Sequence, residues 1–157
     1  MSRKRILYIG ILIPGLLLLL GVTVYLVLRW DALPELVPTN FDGAGHPTSY
    51  GGKGSLLSAL ITGWVSWLLL GALALFPALR KQNRGAVRVS ALRFGNKTYL
   101  PFTGLNSALM ADELAALFGY ITVRSARSRE LGRLFLPAFL GLTALLLFVP
   151  GLFWKED

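Results

Sequence analysis

The residues best able to do chemistry fall in one short stretch. Asp42, His46 and Ser49 are the residue types of a nucleophilic triad. Such a triad needs its serine on a sharp turn beside oxyanion-binding N–H groups, and no nucleophile-elbow motif accompanies these three. Asp42 and His46 offer two metal ligands, short of the three or four that zinc takes. His46 is the only histidine, and there is no cysteine, which removes disulfides, thiol nucleophiles and thiolate metal sites. Counted from Asn40, Gly45 stands at the sixth position of a calcium-loop spacing. Ala44 at the fifth and Gly51 at the twelfth then take away two ligands, the bidentate one included. Asp112 and Glu113 are adjacent, so on a helix they do not face each other as an acid–base pair would. Phosphate-loop, dinucleotide and HExxH patterns are absent from the sequence. The expectation is a binding protein, not an enzyme, with no catalytic residue, no cofactor and no metal.

The same stretch suits recognition. Between residues 33 and 53, Pro34, Pro38 and Pro47 stiffen the backbone, while Gly43, Gly45, Gly51 and Gly52 permit tight turns. Phe41 and Tyr50 supply apolar anchors. A compact ordered loop follows, not a flexible linker. Its candidate ligand- or partner-binding residues are Pro38, Asn40, Phe41, Asp42, Gly45, His46, Tyr50 and Lys53.

Three apolar blocks must position this loop. Of the 157 residues, 54% are hydrophobic and 15% charged, against about 25% charged in average globular proteins, which excludes a disordered or solvating chain. Residues 6–28, 56–79 and 134–154 contain no ionisable group on any Asp, Glu, His, Lys or Arg. At about 1.5 Å per helical residue each exceeds a hydrocarbon core of roughly 30 Å. The first block follows Arg3, Lys4 and Arg5, but it is longer than a signal-peptide core and no A-x-A cleavage site follows, so it reads as an uncleaved anchor.

The net charge of +8 is explained by topology and anionic lipid, without nucleic acid. Three basic residues precede the first block, and ten lie between the second and third: Arg80, Lys81, Arg84, Arg88, Arg93, Lys97, Arg124, Arg127, Arg129 and Arg133. The other side carries Arg29, Lys53 and Lys155. The N-terminus and the second connection are thus expected inside, and the first loop and the C-terminus outside. Trp30 and Trp154 then both lie at the outer interface.

Residues 105–123 form a further apolar stretch, but Asp112 and Glu113 sit at its middle, where lipid makes them costly. The expectation is an amphipathic helix on the membrane surface or on a partner, burying Met110, Leu114, Leu117, Phe118 and Ile121 and capped by Asn106 or Ser107. Before it, 87–94 and 97–102 are strand-like around Gly95-Asn96, a two-residue hairpin signal. In the second block Ser58, Thr62 and Ser66 recur every fourth residue beside Gly63, a pattern that lets helices approach and hydrogen-bond. Glycines and prolines of the spans read as packing and mild kinks. Without charged residues in the blocks, a transporter component is the weakest functional alternative.

The loop resembles a known family. Leu33-Pro34, Pro38, Phe41-Asp42, Gly45, Pro47, Tyr50-Gly51 and Lys53 are similar to the domain of unknown function of bacterial Sdp-type immunity proteins, where such a loop joins two membrane helices. Asn40 stands where that family often has histidine. The resemblance implies a multi-pass protein of the bacterial inner membrane, and in some members protection from a secreted peptide toxin with signalling to a repressor. The expected fold class is an all-α membrane protein with three transmembrane helices, N-terminus in and C-terminus out, and a small α+β cytoplasmic unit. Its parts are 1–79 around the outer loop 29–55, the basic unit 80–133, and 134–157. Expected partners are the lipid bilayer, another membrane protein or a second copy, and a peptide ligand outside. An accessory subunit of a larger membrane complex is the alternative to an immunity or signalling protein.

Overall fold

The computed structural model describes residues 3–76, 92–94, 97–99 and 104–153. Helix α1 (Arg3–Arg29) ends in a single 3-10 turn (Trp30–Ala32). Strands β1 (Leu36–Phe41) and β2 (Pro47–Gly52) form an antiparallel hairpin, and α2 (Ser55–Leu75) follows. A second antiparallel pair joins β3 (Leu92–Phe94) to β4 (Lys97–Tyr99), within the two stretches that the sequence marks as strand-like. Helices α3 (Gly104–Ala126) and α4 (Phe135–Phe153) complete the chain.

Helices α1 and α2 are long and apolar enough to cross a membrane. Their inward residues repeat every third and fourth position: Tyr8, Leu12, Gly15, Leu19, Val22 and Leu26 on α1, and Leu56, Leu60, Gly63, the half-buried Trp67, Gly71 and Ala74 on α2. That spacing is the seam of a left-handed bundle. Between them stands α3, which packs on both more extensively than they pack on each other.

The two core clusters give the helix directions. Tyr8 and Leu12 meet Ala74, Ala108 and Ala111 at one end. Leu19, Val22 and Leu26 meet Leu56, Leu60, Ala115 and Ala126 towards the other. Therefore α1 and α3 run parallel and α2 runs opposite. Asn106, near the start of α3, donates to the carbonyls of Leu146 and Leu147, while Tyr120 stacks on Phe135 at 5.1 Å. These contacts make α4 antiparallel to α3, and the four helices run up, down, up, down.

This arrangement departs from the sequence reading of 80–133. Residues 104–126 are a helix, as expected, but it lies inside the bundle and not on a surface. Its C-terminus and the connection to α4 stand beside the β1–β2 hairpin, so Arg124, Arg127 and Arg129 share an end with that hairpin and not with the N-terminus of α1. The cause is non-local. Trp67 Nε1 donates to Asp112 Oδ1 at 3.1 Å, and Thr143 Oγ1 donates to Glu113 Oε1 at 2.7 Å. The two acidic groups that argue against burial are each met by a neighbouring helix. The face that α3 buries carries Ala108, Ala111, Ala115, Gly119, Thr122 and Ala126, whereas Met110, Leu114, Leu117, Phe118 and Ile121 are only half-buried. Trp154, the tail 154–157 and the outer parts of the second hairpin lie outside the described residues.

Candidate functional site

The β1–β2 hairpin rises from the ends of α1 and α2. Its register pairs Leu36 with Gly52, Val37 with Gly51, Pro38 with Tyr50, Asn40 with Ser49 and Phe41 with Pro47, with irregularities around Asn40. Pro38 fits because a strand of a two-stranded sheet has an unpaired edge for a residue without an N–H. Val37 is fully buried among Leu26, Leu33, Leu56 and Leu60, and Pro38 is buried beside it. Burying one valine contributes about 1.5–3 kcal/mol, enough to seat the hairpin root on the helix ends. At the base, Lys53 Nζ bonds Glu35 Oε1 at 2.9 Å and lies 5.7 Å from the Trp30 ring centroid.

The tip is a turn organised by Asp42. Its Oδ1 accepts the backbone N–H groups of Ala44 (2.9 Å) and His46 (2.8 Å), and its Oδ2 lies 3.3 Å from His46 Nδ1. The His46 backbone N–H, helped by the His46 ring and the Ala44 N–H, holds the Asp42 carboxyl below its ordinary 3.8. Asp42 therefore serves the turn, and the calcium-loop spacing is taken up by hydrogen bonds within the chain. Among the described residues no three His, Cys, Asp or Glu side chains gather as metal ligands. Ser49 is not brought onto His46: its hydroxyl meets Asn40 Nδ2 at 2.6 Å and Thr39 Oγ1 at 3.0 Å.

The tip is also clamped to the α3–α4 connection. Leu131 N–H donates to the Gly45 carbonyl at 2.9 Å, and Gly45 takes φ +83° against the backbone of Gly132. His46 Nε2 lies 3.9 Å from Glu130 Oε2. The connection is itself braced. Ser125, Arg124 and the left-handed Ser128 (φ 48°) form a Schellman cap, with Arg129 N–H bonded to Arg124 O and Ser128 N–H to Ser125 O. The Arg124 guanidinium donates to the Glu130 carbonyl, and Arg127 lies over the Tyr25 ring at 5.6 Å. No Gly or Pro marks the end of α3, so neither this cap nor the partner it offers the hairpin could be found from sequence.

The residues singled out from sequence thus divide. Pro38, Asp42, Gly45 and Lys53 build and seat the hairpin, and Asn40 and Phe41 belong to its irregular strand. Tyr50 stays 61% exposed, and Leu36 beside the base is 65% exposed. On α2, Gly63 faces the core, where a Cβ would come within 2.9 Å of Phe118 Cβ. Ser58 and Thr62 are exposed instead, the Thr62 hydroxyl donating to the Ser58 carbonyl, and Ser66 is half-buried.

Residues 17–79 match the family described as Domain of unknown function (DUF1648). The match takes in the second half of α1, the whole clamped hairpin and α2, and it stops before α3. It carries no assigned activity. No curated protein and no solved structure matches the chain.

Proposed function

We propose that the chain is a multi-pass membrane binding protein that holds the β1–β2 hairpin outside the membrane as a rigid recognition surface. The observation that carries this reading is the double seating of the hairpin, by Val37 at its root and by Gly45 at its tip, which leaves Leu36 and Tyr50 exposed on a fixed backbone. Preorganisation of this kind lowers the entropy cost of binding. Together with the loop's resemblance to Sdp-type immunity proteins, it favours a peptide ligand outside the cell and an immunity or signalling role in a bacterial inner membrane.

The membrane setting is supported by where the large apolar residues point. Helices α1, α2 and α4 expose Ile6, Ile13, Leu17, Val24, Ile61, Leu68, Leu69, Leu140 and Leu145, among others, while the face that α3 turns to the buried leucines of α1 and α2 is made of small and polar residues. A bundle in water has the reverse pattern, and a bundle in lipid has this one. In this reading all four helices cross. Six basic residues, Arg29, Lys53, Arg124, Arg127, Arg129 and Arg133, stand at the hairpin end. The other ten open α1, join α2 to α3 or follow α4, so the excess of positive charge still favours a hairpin outside. The chain has no native thiol, and single cysteines test this directly. Thr48→Cys and Arg129→Cys are both expected to react with an impermeant maleimide on intact cells. Labelling of Arg129→Cys only after permeabilisation refutes four spans.

A second reading, an accessory subunit of a larger complex, is favoured by the outward Ser58 and Thr62 on α2. Mild-detergent purification from native membranes separates the two. A partner lost on Leu36→Ala with Tyr50→Ala supports the hairpin. A partner kept there but lost on Ser58→Leu with Thr62→Leu supports the subunit reading.

A further inference from the structure

We propose that the groove between α1, α3 and α4 binds a small lipophilic amine, with Glu113 as its counter-ion. Helices α1 and α4 flank α3 without closing over it, which leaves an open-sided groove of about 580 Å³. Its walls are Leu18 and Val22 of α1, Leu117 and Gly119 of α3, and Phe135 and Leu142 of α4. Among these apolar walls stands a single carboxyl group, that of Glu113.

Glu113 is only 6% exposed, yet it is half-satisfied. Oε1 accepts the Thr143 hydroxyl, and Oε2 has no partner among the described residues. A buried carboxyl with a free oxygen is costly, and a charge within an apolar bundle marks a functional position. Thr143 also donates to the Phe139 carbonyl, so one hydroxyl is shared and the acceptor capacity of Glu113 is far from filled. The missing partner must therefore bring donors, and the walls require the rest of it to be apolar. A protonated primary amine on an alkyl or aryl body has both properties.

Depth separates this ligand from a phospholipid headgroup. Glu113 lies 13 residues before the end of α3 at Ala126 and nine after its start at Gly104. At 1.5 Å per residue that is about 20 Å from one end and about 14 Å from the other. A headgroup held at either interface does not reach it, whereas a small amine that partitions into the groove does.

The test uses decylamine and decanol, each carrying a photoreactive diazirine in the alkyl chain, on the full chain in lipid nanodiscs, with labelled residues mapped by mass spectrometry. The amine is expected to label the groove segments 116–123 and 135–142, and unlabelled decylamine is expected to compete. Glu113→Gln, which keeps an acceptor for Thr143, is expected to reduce that labelling at least tenfold with the melting temperature preserved. Ala116→Trp, which fills the groove and leaves Glu113 in place, is expected to do the same. Equal labelling by the alcohol probe on the wild-type chain overturns the proposal, because an acyl chain alone then suffices. Wild-type labelling of either variant overturns it too, by removing the carboxyl or the groove from the site.

Discussion

Replacing Gly45 by alanine tests whether the hairpin is clamped or merely adjacent. The new Cβ would stand 2.7 Å from the Gly132 carbonyl oxygen and 2.8 Å from its nitrogen, both backbone atoms that cannot rotate away. Gly45 also has φ +83°, a left-handed conformation that costs a residue with a Cβ about 1–2 kcal/mol. Relief of the clash pushes Gly132 outward and breaks the Leu131 N–H bond to the Gly45 carbonyl, a further loss of about 0.5–1.5 kcal/mol. The clamp is thus expected to weaken by about 1.5–3.5 kcal/mol, which is roughly tenfold to three-hundred-fold in the docked-to-free ratio.

Trypsin reads this ratio. Arg127, Arg129 and Arg133 line the α3–α4 connection, and cleavage tracks the open population when reclosure is fast. Gly45→Ala is expected to be cut there at least ten times faster than the parent chain in the same detergent. Gly43→Ala is the control. Its Cβ would meet only Leu136 Cδ2, at 3.9 Å, so its cleavage rate should match the parent within the small range of surface substitutions. Cleavage of Gly45→Ala at the parental rate would refute the clamp.

Three further outcomes follow from the same geometry. Because Asp42 titrates below its ordinary 3.8, the turn it organises gains stability that is complete above that value and lost as pH falls through the lowered one. The side-chain carboxyl carbon NMR signal of Asp42 should show a titration midpoint below 3.8, and a midpoint at or above 3.8 sinks the assignment. Ser128→Gly relieves the left-handed serine of the α3 cap and should stabilise the protein by about 0.5–1 kcal/mol, seen as a higher melting temperature; a lower one would show that the serine side chain matters more than its backbone. Trp67→Phe removes the donor to Asp112 and should cost about 0.6 and at most about 1.7 kcal/mol in mixed-micelle unfolding, with no additional cost when combined with Asp112→Asn; full additivity would deny the bond.

The helices were legible because their signals are local. The blocks 6–28 and 56–79 correspond to α1 and α2, and the helical period at 105–123 corresponds to α3. The second hairpin was legible from the strand-like residues on either side of Gly95-Asn96, of which 92–94 and 97–99 are seen to pair. The first hairpin was anticipated only as an ordered loop, since three prolines and four glycines hide a strand pattern whose side chains do not alternate cleanly. Its clamp was not legible at all. The clamp joins Gly45 to Leu131 and Gly132, about ninety residues away, through backbone groups that carry no sequence signature.

The placement of α3 shows a different kind of failure. The period was read correctly, but the inward face was assigned to the larger residues. That assignment assumes a solvent from which large apolar side chains are driven. In the bundle, Ala108, Ala111, Ala115 and Gly119 turn inward and let the backbones approach, which is why a Cβ on Gly119 would strike Leu18 and one on Gly15 would strike Asp112. On the proposed four-span reading, Met110, Leu114 and Leu117 gain little by turning in, because the surroundings are as apolar as the core. The acidic pair was misjudged for the same reason. Asp112 and Glu113 are costly in lipid when alone, and tolerable where Trp67 and Thr143 supply donors from neighbouring helices. The entry of α3 into the bundle therefore rests on its own small residues together with one indole on α2 and one hydroxyl on α4. Asp112 has its indole partner, and Glu113, which lines the groove, has the Thr143 hydroxyl on one of its oxygens.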